Sequence, residues 1–290
     1  DITHLSIGQT NAEWEKNRVT FSNKFKDSLP LLESSTFPEL IFKKNKPLVS
    51  IIIPVYNYGK TLDMALASVF EQTYSNIEII VIDDGSTDKF TQLKLDKLSI
   101  PNTKVIRQDN GGPSNARNNG IKSSTGKYIL PLDSDDFMLP SYVDECVKLI
   151  SRDDNLSPIY CDTIHEGQMK GMEERPEWSK DRLIQGPFIV NCSMFSREAF
   201  DSVGGFDESL KGWEDYDFWL RMALKGYIGK RIPKPLFVYI HHESEGTVST
   251  LANKNIPELH KKILTKNGLL KEPKIYDPLN TSNNNFNMFD

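Results

Sequence analysis

With 290 residues, 38% apolar and 10% aromatic, the chain can bury one large α/β core with appendages, or two small domains. A formal charge of −5 argues against a nucleic-acid binder, which needs a basic stripe, and no apolar run approaches the ~18 residues of a membrane span. The chain opens at Asp1 with no charged-then-apolar leader, so no signal peptide is expected, and a start without Met reads as a processed or excised chain. Cys146, Cys161 and Cys192 are odd in number and lack metal-like spacing. They point to reduced core thiols in a cytoplasmic protein, whose contact with the inner face of a membrane would be peripheral.

Residues 1–46 read as an N-terminal helical extension, because Trp14, Arg18, Phe21 and Phe25 recur at helical spacing before Lys46-Pro47 ends the segment. Residues 48–55 form a continuous apolar strand of the kind buried in a parallel sheet. A turn at Tyr56-Asn57-Tyr58-Gly59 leads to a helix over 61–72. A second strand over 76–83 runs into Asp84-Gly85-Ser86-Thr87-Asp88, which caps a helix to about Leu98. A third strand over 103–108, a Gly111-Gly112-Pro113 turn, a short helix over 114–122 and a fourth strand over 128–132 follow. This alternation specifies an open α/β sheet with ligands at the carboxyl ends of its strands.

The second half is less regular. The pattern predicts a helix over 140–150, a strand over 158–161, a polar loop over 163–181 and a strand over 188–195. A helix opened by Trp213-Glu214-Asp215 runs to about Leu224, and a strand over 227–239 is interrupted by Pro233 and Pro235. His241-His242-Glu243 then leads a polar loop. Residues 47–252 are read as the principal domain, and 253–290 as a C-terminal helix with a flexible, Asn-rich tail.

The most telling stretch is Asp133-Ser134-Asp135-Asp136, where an apolar strand ends in three carboxylates. Carboxylates at i and i+2 can reach one small target together. Hard divalent ions take such ligands along with a substrate's phosphates; the plainer reading is an acidic turn. Gly111-Gly112-Pro113-Ser114-Asn115-Ala116 does not match a dinucleotide fingerprint, and Gly120 is misplaced for a P-loop ending at Lys127. Phosphates would have to be held another way.

Five segments in order closely resemble the family 2 glycosyltransferases: Val49-Ser50-Ile51-Ile52-Ile53-Pro54-Val55-Tyr56-Asn57, Val81-Ile82-Asp83-Asp84-Gly85-Ser86-Thr87-Asp88, Asn115-Ala116-Arg117-Asn118, Leu132-Asp133-Ser134-Asp135-Asp136 and Gly212-Trp213-Glu214-Asp215. The resemblance implies a GT-A fold, an open and mostly parallel central sheet flanked by helices. It also implies a metal-dependent, inverting enzyme that moves a sugar from a nucleotide-sugar to a hydroxyl of a glycan, lipid-linked or protein acceptor. Carried over by motif, Pro54, Tyr56 and Asn57 border the base and ribose, and Asp84 accepts from a base N–H, which favours UDP. Asp133 and Ser134 lie along the nucleotide. Asp135, with Asp133 and His242, holds Mn²⁺ or Mg²⁺. Arg117 contacts phosphate or the acidic cluster. Asp215 is the general base, and Trp213 and Glu214 face the acceptor.

The relatives' Tyr-Arg before the histidine is absent from Tyr239-Ile240-His241-His242, so the choice between His241 and His242 stays open. Each acidic residue also has a plain alternative: Asp84 as a turn cap, and Glu214 and Asp215 as first-turn helix residues. Two other functions compete, a nucleotidyltransferase making nucleotide-sugars and a non-catalytic binding module. Donor sugar, acceptor and oligomeric state are not legible.

Overall fold

The computed structural model describes residues 46–242, 256–270 and 286–287; the aromatic helix expected near Trp14, the loop after His242 and most of the tail lie outside them. Strand β1 (Val49–Val55) is buried along nearly its whole length. It is flanked by β2 (Ile77–Asp84) and β4 (Tyr128–Pro131), both parallel to it. With β3 (Thr103–Gln108) and the antiparallel β8 (Phe195–Ser196), the order is β3-β2-β1-β4-β8. The chain moves outward from β1 to β3 and then returns to the other side of β1. The loops after β1 and β4 therefore diverge, opening a crevice at the strands' carboxyl ends.

Helices α1 (Leu62–Phe70), α2 (Lys89–Lys97) and α3 (Gly112–Lys122) make the crossovers. Asp88 caps α2 by accepting from the Thr91 N–H at 2.8 Å, as its position after the turn predicts. Helix α3 lies close on the sheet because Gly120 has no side chain. A Cβ there would stand 2.6 Å from Ile52 Cγ2, so any larger residue would push the helix off β1 and β2.

A second sheet carries the rest. Its order is β10-β7-β6-β9-β5, comprising β5 (Phe137–Met138), β6 (Leu156–Gly167), β7 (Gly171–Glu173), β9 (Ile228–His241) and β10 (Phe286–Asn287). Here several expectations need correcting. The polar stretch 163–181 is not a loop: β6 continues to Gly167 and turns back through β7, and the segment ends in helix α5 (Lys180–Gln185). Its polarity misleads because its polar side chains are buried and paired, Thr163 with Arg175 and His165 with Glu173.

The strand expected over 188–195 shrinks to Phe195–Ser196. Pro233 and Pro235 do not interrupt β9; register shifts opposite them at Cys161–Asp162 and Asp162–Thr163 absorb the missing donors. In the tail, 286–287 pair with β7, where disorder was expected.

Helices α4 (Tyr142–Ile150), α6 (Arg197–Val203), α7 (Glu214–Lys225) and α8 (Ile256–Lys266) complete the elements. The core joins the inner faces of β1, β2 and β4 to α7 through Phe195, Phe206, Phe218 and Trp219, with Ile263 and Leu264 of α8 closing one side. The three cysteines are free and buried. Burial pushes the Cys146 and Cys192 thiols well up and the Cys161 thiol to about 12, so they pack as inert apolar groups.

Candidate active site

The nucleotide-side candidates gather on the loops at the carboxyl ends of β1 to β3. Pro54 is in β1, opposite Ile82, and Tyr56 projects from its end with 44% of its surface exposed. Asn57 adopts φ 60°, in the left-handed region that Asn tolerates better than most residues. Its Oδ1 accepts from the N–H groups of Thr87 (2.7 Å) and Asp88 (3.0 Å), and its own N–H donates to Ser86 Oγ at 3.1 Å. Asn57 thus splices the loop after β1 to the loop after β2.

Asp84 has structural work that its motif does not announce. Its carboxylate accepts from Gly111 N–H (2.8 Å), Gly112 N–H (2.9 Å) and Gln108 Nε2 (2.7 Å). It anchors the turn that starts α3, and of the roughly four lone-pair directions of a carboxylate one is left for a base. Its neighbour Asp83 accepts from Ser86 N–H at 2.9 Å, the Asx geometry that a turn before Gly85 requires.

The acidic motifs meet through one arginine. Arg117 projects from α3 and is 4% exposed. It donates from Nη2 to Asp133 Oδ1 at 2.8 Å and from Nη1 to Glu214 Oε1 at 2.7 Å. Burial opposes its charge, but the two carboxylates outweigh that and hold the guanidinium protonated. Segments 97 residues apart in sequence are thereby locked together. Removing one partner of such a buried pair costs about 3–5 kcal/mol. The other oxygen of Asp133 accepts from Asn191 Nδ2 at 3.1 Å, leaving Asp135 as the freer carboxylate. Ser134 is buried in the turn between them.

Asp135 Oδ2 lies 3.0 Å from His242 Nε2. His241 points elsewhere, its Nε2 2.8 Å from His165 Nδ1, and His165 Nε2 lies 3.0 Å from Glu173 Oε2. A carboxylate only accepts, so His165 carries its proton on Nε2 and receives one from His241. Within the described residues, then, His242 is the histidine that faces the acidic motif. Burial and the charge of Asp133 raise Asp135 to about 6, against the pull of His242. Asp136 is driven well above the carboxylate range by burial and by both neighbouring carboxylates; it accepts from Ile240 N–H at 2.8 Å, tying the motif to β9.

On the opposite wall, Trp213 precedes α7 in the left-handed region, at φ 57° and ψ 21°. A bulky residue there costs on the order of 1–3 kcal/mol and persists only when its surroundings fix it. The kink turns Glu214 inward to Arg117 and sets Asp215 beside it, with Asp215 Oδ1 accepting from Tyr216 N–H at 2.8 Å. First-turn placement alone would lower an Asp pKa. Burial and the adjacent Glu214 charge win instead, and Asp215 rises to about 7, where a carboxylate serves as a base at neutral pH.

Two groups escaped the sequence reading. Asn191 lay in a supposed strand, and Arg175 in a supposed loop. Arg175 is held by Thr163 Oγ1 (3.2 Å) and Glu173 Oε2 (2.8 Å). Burial lowers its pKa against the charges of Glu173, Asp162 and Asp215. No local pattern marks either residue: Arg175 is brought in by the turn after β7 and Asn191 by the irregular stretch before β8.

Among the described residues, side-chain polar atoms that are buried without a hydrogen-bond partner include Arg117 Nε, Asn191 Oδ1 and His242 Nε2. Interiors leave few such atoms, and these three belong to residues that contact Asp133 or Asp135.

A doubly wound sheet whose switch-point crevice is walled by two acidic motifs defines a sugar-transferring enzyme of the GT-A class. A family model described as "Glycosyl transferase family 2" matches residues 50–204, more than half of the chain, and the protein belongs to that family and is a glycosyltransferase. A second model, "N-terminal domain of galactosyltransferase", matches residues 188–244, the stretch that holds Asp215 and His242.

Among similar proteins, an uncharacterized glycosyltransferase of Haemophilus influenzae is 30% identical over 70% of this chain and 71% of its own length. Chondroitin synthase of Escherichia coli is 30% identical over 72% of this chain, which spans only 31% of that enzyme. A crystal structure of S. aureus TarS 1-349 in complex with UDP-GlcNAc superposes with a TM-score of 0.61 at 23% identity, covering 76% of this chain and 66% of that one; at that identity the likeness speaks for the fold alone. Among the described residues no helix is long and apolar enough to cross a membrane.

Proposed function

We propose that the chain transfers a sugar from a UDP-sugar to a hydroxyl of a glycan or glycoconjugate, with inversion at the anomeric carbon. The observation that carries the reading is the Arg117 bridge, which holds the Asp133 motif and the Glu214-Asp215 motif in one cleft. An inverting displacement needs those two functions on opposite sides of one sugar. Asp215, raised to about 7, takes the proton of the attacking hydroxyl as the bond to the diphosphate breaks. Base assistance of this kind contributes ~10²–10⁴-fold. Trp213 and Glu214 frame the acceptor, and Arg117 and Asn191 hold Asp133 toward the donor. The UDP preference rests on the motif likeness and on the UDP-GlcNAc in the TarS structure's title.

The residues fit a divalent cation. His242 Nε2 is buried without a hydrogen-bond partner although Asp135 stands 3.0 Å away, and a carboxylate with an imidazole suits Mn²⁺ or Mg²⁺ completed by phosphate and water. Among the described residues no cluster of three or more His, Cys, Asp or Glu side chains could hold a metal; Asp133, the third ligand the motif implies, is engaged by Arg117 and Asn191. Asp135 and His242 would hold the ion, which supplies Lewis-acid neutralisation of the departing diphosphate's charge.

The test is a panel of UDP- and GDP-sugars, followed by thermal shift and by nucleotide release with and without Mn²⁺. A stabilising UDP-sugar whose release needs the ion is expected. Stabilisation by GDP-sugars alone, or full activity in excess EDTA, would overturn the donor or the metal assignment respectively.

A further inference from the structure

Helix α8 begins beyond both family-model matches, which end at residues 204 and 244, yet it reaches the base-bearing helix from behind. His260 is 2% exposed. Its Nε2 lies 3.1 Å from Tyr216 Oη and 3.2 Å from the Ile184 carbonyl, while Tyr216 Oη donates to the same carbonyl at 3.4 Å. A carbonyl only accepts, so His260 carries its proton on Nε2 and shares it between these two oxygens. Burial lowers its pKa, which agrees with a neutral ring. The imidazole also packs edge-on against Trp213 (centroids 6.1 Å apart, 66°), and Trp213 meets Tyr216 at 5.6 Å and 82°.

Two rings, His260 and Tyr216, therefore pack against Trp213, whose left-handed backbone sets the direction of Glu214 and Asp215. Further along, Lys266 Nζ and Asn267 Nδ2 each reach Asp217 Oδ1 at 3.0 Å, so α8 grips α7 at two separate points.

We propose that His260 is a positioning residue for the transfer reaction: by bonding Tyr216 and packing on Trp213, it fixes the left-handed turn that presents Asp215. The inference rests on Asp215 being the base. If Trp213 relaxes into ordinary backbone geometry, Asp215 swings from its direction of attack while the donor-side loops stay put. The effect should fall on kcat and spare KM for the donor. Misplacement of a catalytic group by about 1 Å costs on the order of 10²-fold.

The experiment compares His260→Ala, His260→Asn and His260→Gln with Lys266→Ala and Asp215→Asn, reading UDP release from the best donor of the panel and melting temperature in each. Gln can place its amide N–H where Nε2–H stands, and the shorter Asn cannot. His260→Ala and His260→Asn should lose kcat by about 10- to 100-fold with donor KM unchanged, and His260→Gln should recover most of it. Lys266→Ala should lower melting temperature with kcat retained. Crystal structures should show Trp213 leaving the left-handed region in His260→Ala and staying there in His260→Gln. Full kcat in a folded His260→Asn, or a Gln variant no better than Asn, overturns the proposal while leaving Asp215 in place. An Asp215→Asn enzyme as active as the parent overturns the base assignment on which the proposal rests.

Discussion

The two acidic walls of the cleft look alike in sequence and are built differently. On the donor side, Asp133, Asp135 and Asp136 follow a strand end; Asp133 accepts from Arg117 and Asn191, Asp136 accepts from Ile240 N–H, and Asp135 stands 3.0 Å from the His242 imidazole. On the acceptor side, Asp215 accepts from Tyr216 N–H and stands next to the charge of Glu214, with the more distant Arg117 charge opposing it. Both walls raise a carboxylate, Asp135 to about 6 and Asp215 to about 7, with burial as the leading cause. Only Asp135 has an imidazole beside it to offset the cost. A carboxylate beside an imidazole suits a shared cation, and one raised by burial beside a like charge suits proton transfer. The same residue type thus takes two roles by environment.

The largest effect that would break this contrast is at Asp215 itself. Asp215→Asn should lower UDP release by about 10²–10⁴-fold while donor affinity, measured by calorimetry, stays near the parent value. Next comes the bridge. Arg117→Met leaves Glu214 buried and the half-buried Asp133 without their counter-charge, so a loss of about 3–5 kcal/mol and a melting temperature lower by roughly 10 °C are expected. A chemical denaturation series that finds the variant as stable as the parent would mean that the two walls are not coupled through Arg117.

The histidines sharpen the donor side. His242→Ala should weaken Mn²⁺ binding in the presence of UDP by roughly 10–100-fold, and His241→Ala much less, as titration by electron paramagnetic resonance would read. Equal losses would dissolve the distinction between the two side chains.

Stability against pH follows from the sign of the Asp215 shift. The folded state holds this proton more tightly than the unfolded chain, whose Asp titrates near 4 (about 3.9). That contribution is present below the unfolded value and is lost as pH rises through about 7. Asp215→Asn should therefore melt higher than the parent at pH 8 and close to it at pH 4. The smallest expected effect is at Asp84. Asp84→Asn disturbs the Gly111–Gly112 anchor and should cost about 1–3 kcal/mol, while the ratio of UDP to GDP affinity reports how far its remaining lone pair reads a base.

The first sheet was legible because parallel strands buried on both faces read as unbroken apolar runs, and the loops that follow them carry the motifs. The second sheet was not. β6 and β7 are polar on one side, and β9 contains two prolines that a bulge accommodates, so neither period nor breaker residues marked them. Arg175, just after β7, was hidden for the same reason, and Asn191 lies in the irregular stretch before β8, where no period marks it. Arg117 was visible as a motif residue, but its two carboxylate partners lie 16 and 97 residues away and follow from topology rather than spacing. Likewise the motif Trp213-Glu214-Asp215 suggested a base, but first-turn position alone argued for a low pKa. Only the left-handed turn and the burial behind it reverse that sign.

The most direct test of the central claim is the pH dependence of kcat for UDP release in the parent and in Asp215→Asn. The account predicts an acidic limb in the parent centred near pH 7, with activity rising as Asp215 loses its proton, and a residual activity in the variant that is flat across that range. The same limb in both proteins would contradict it.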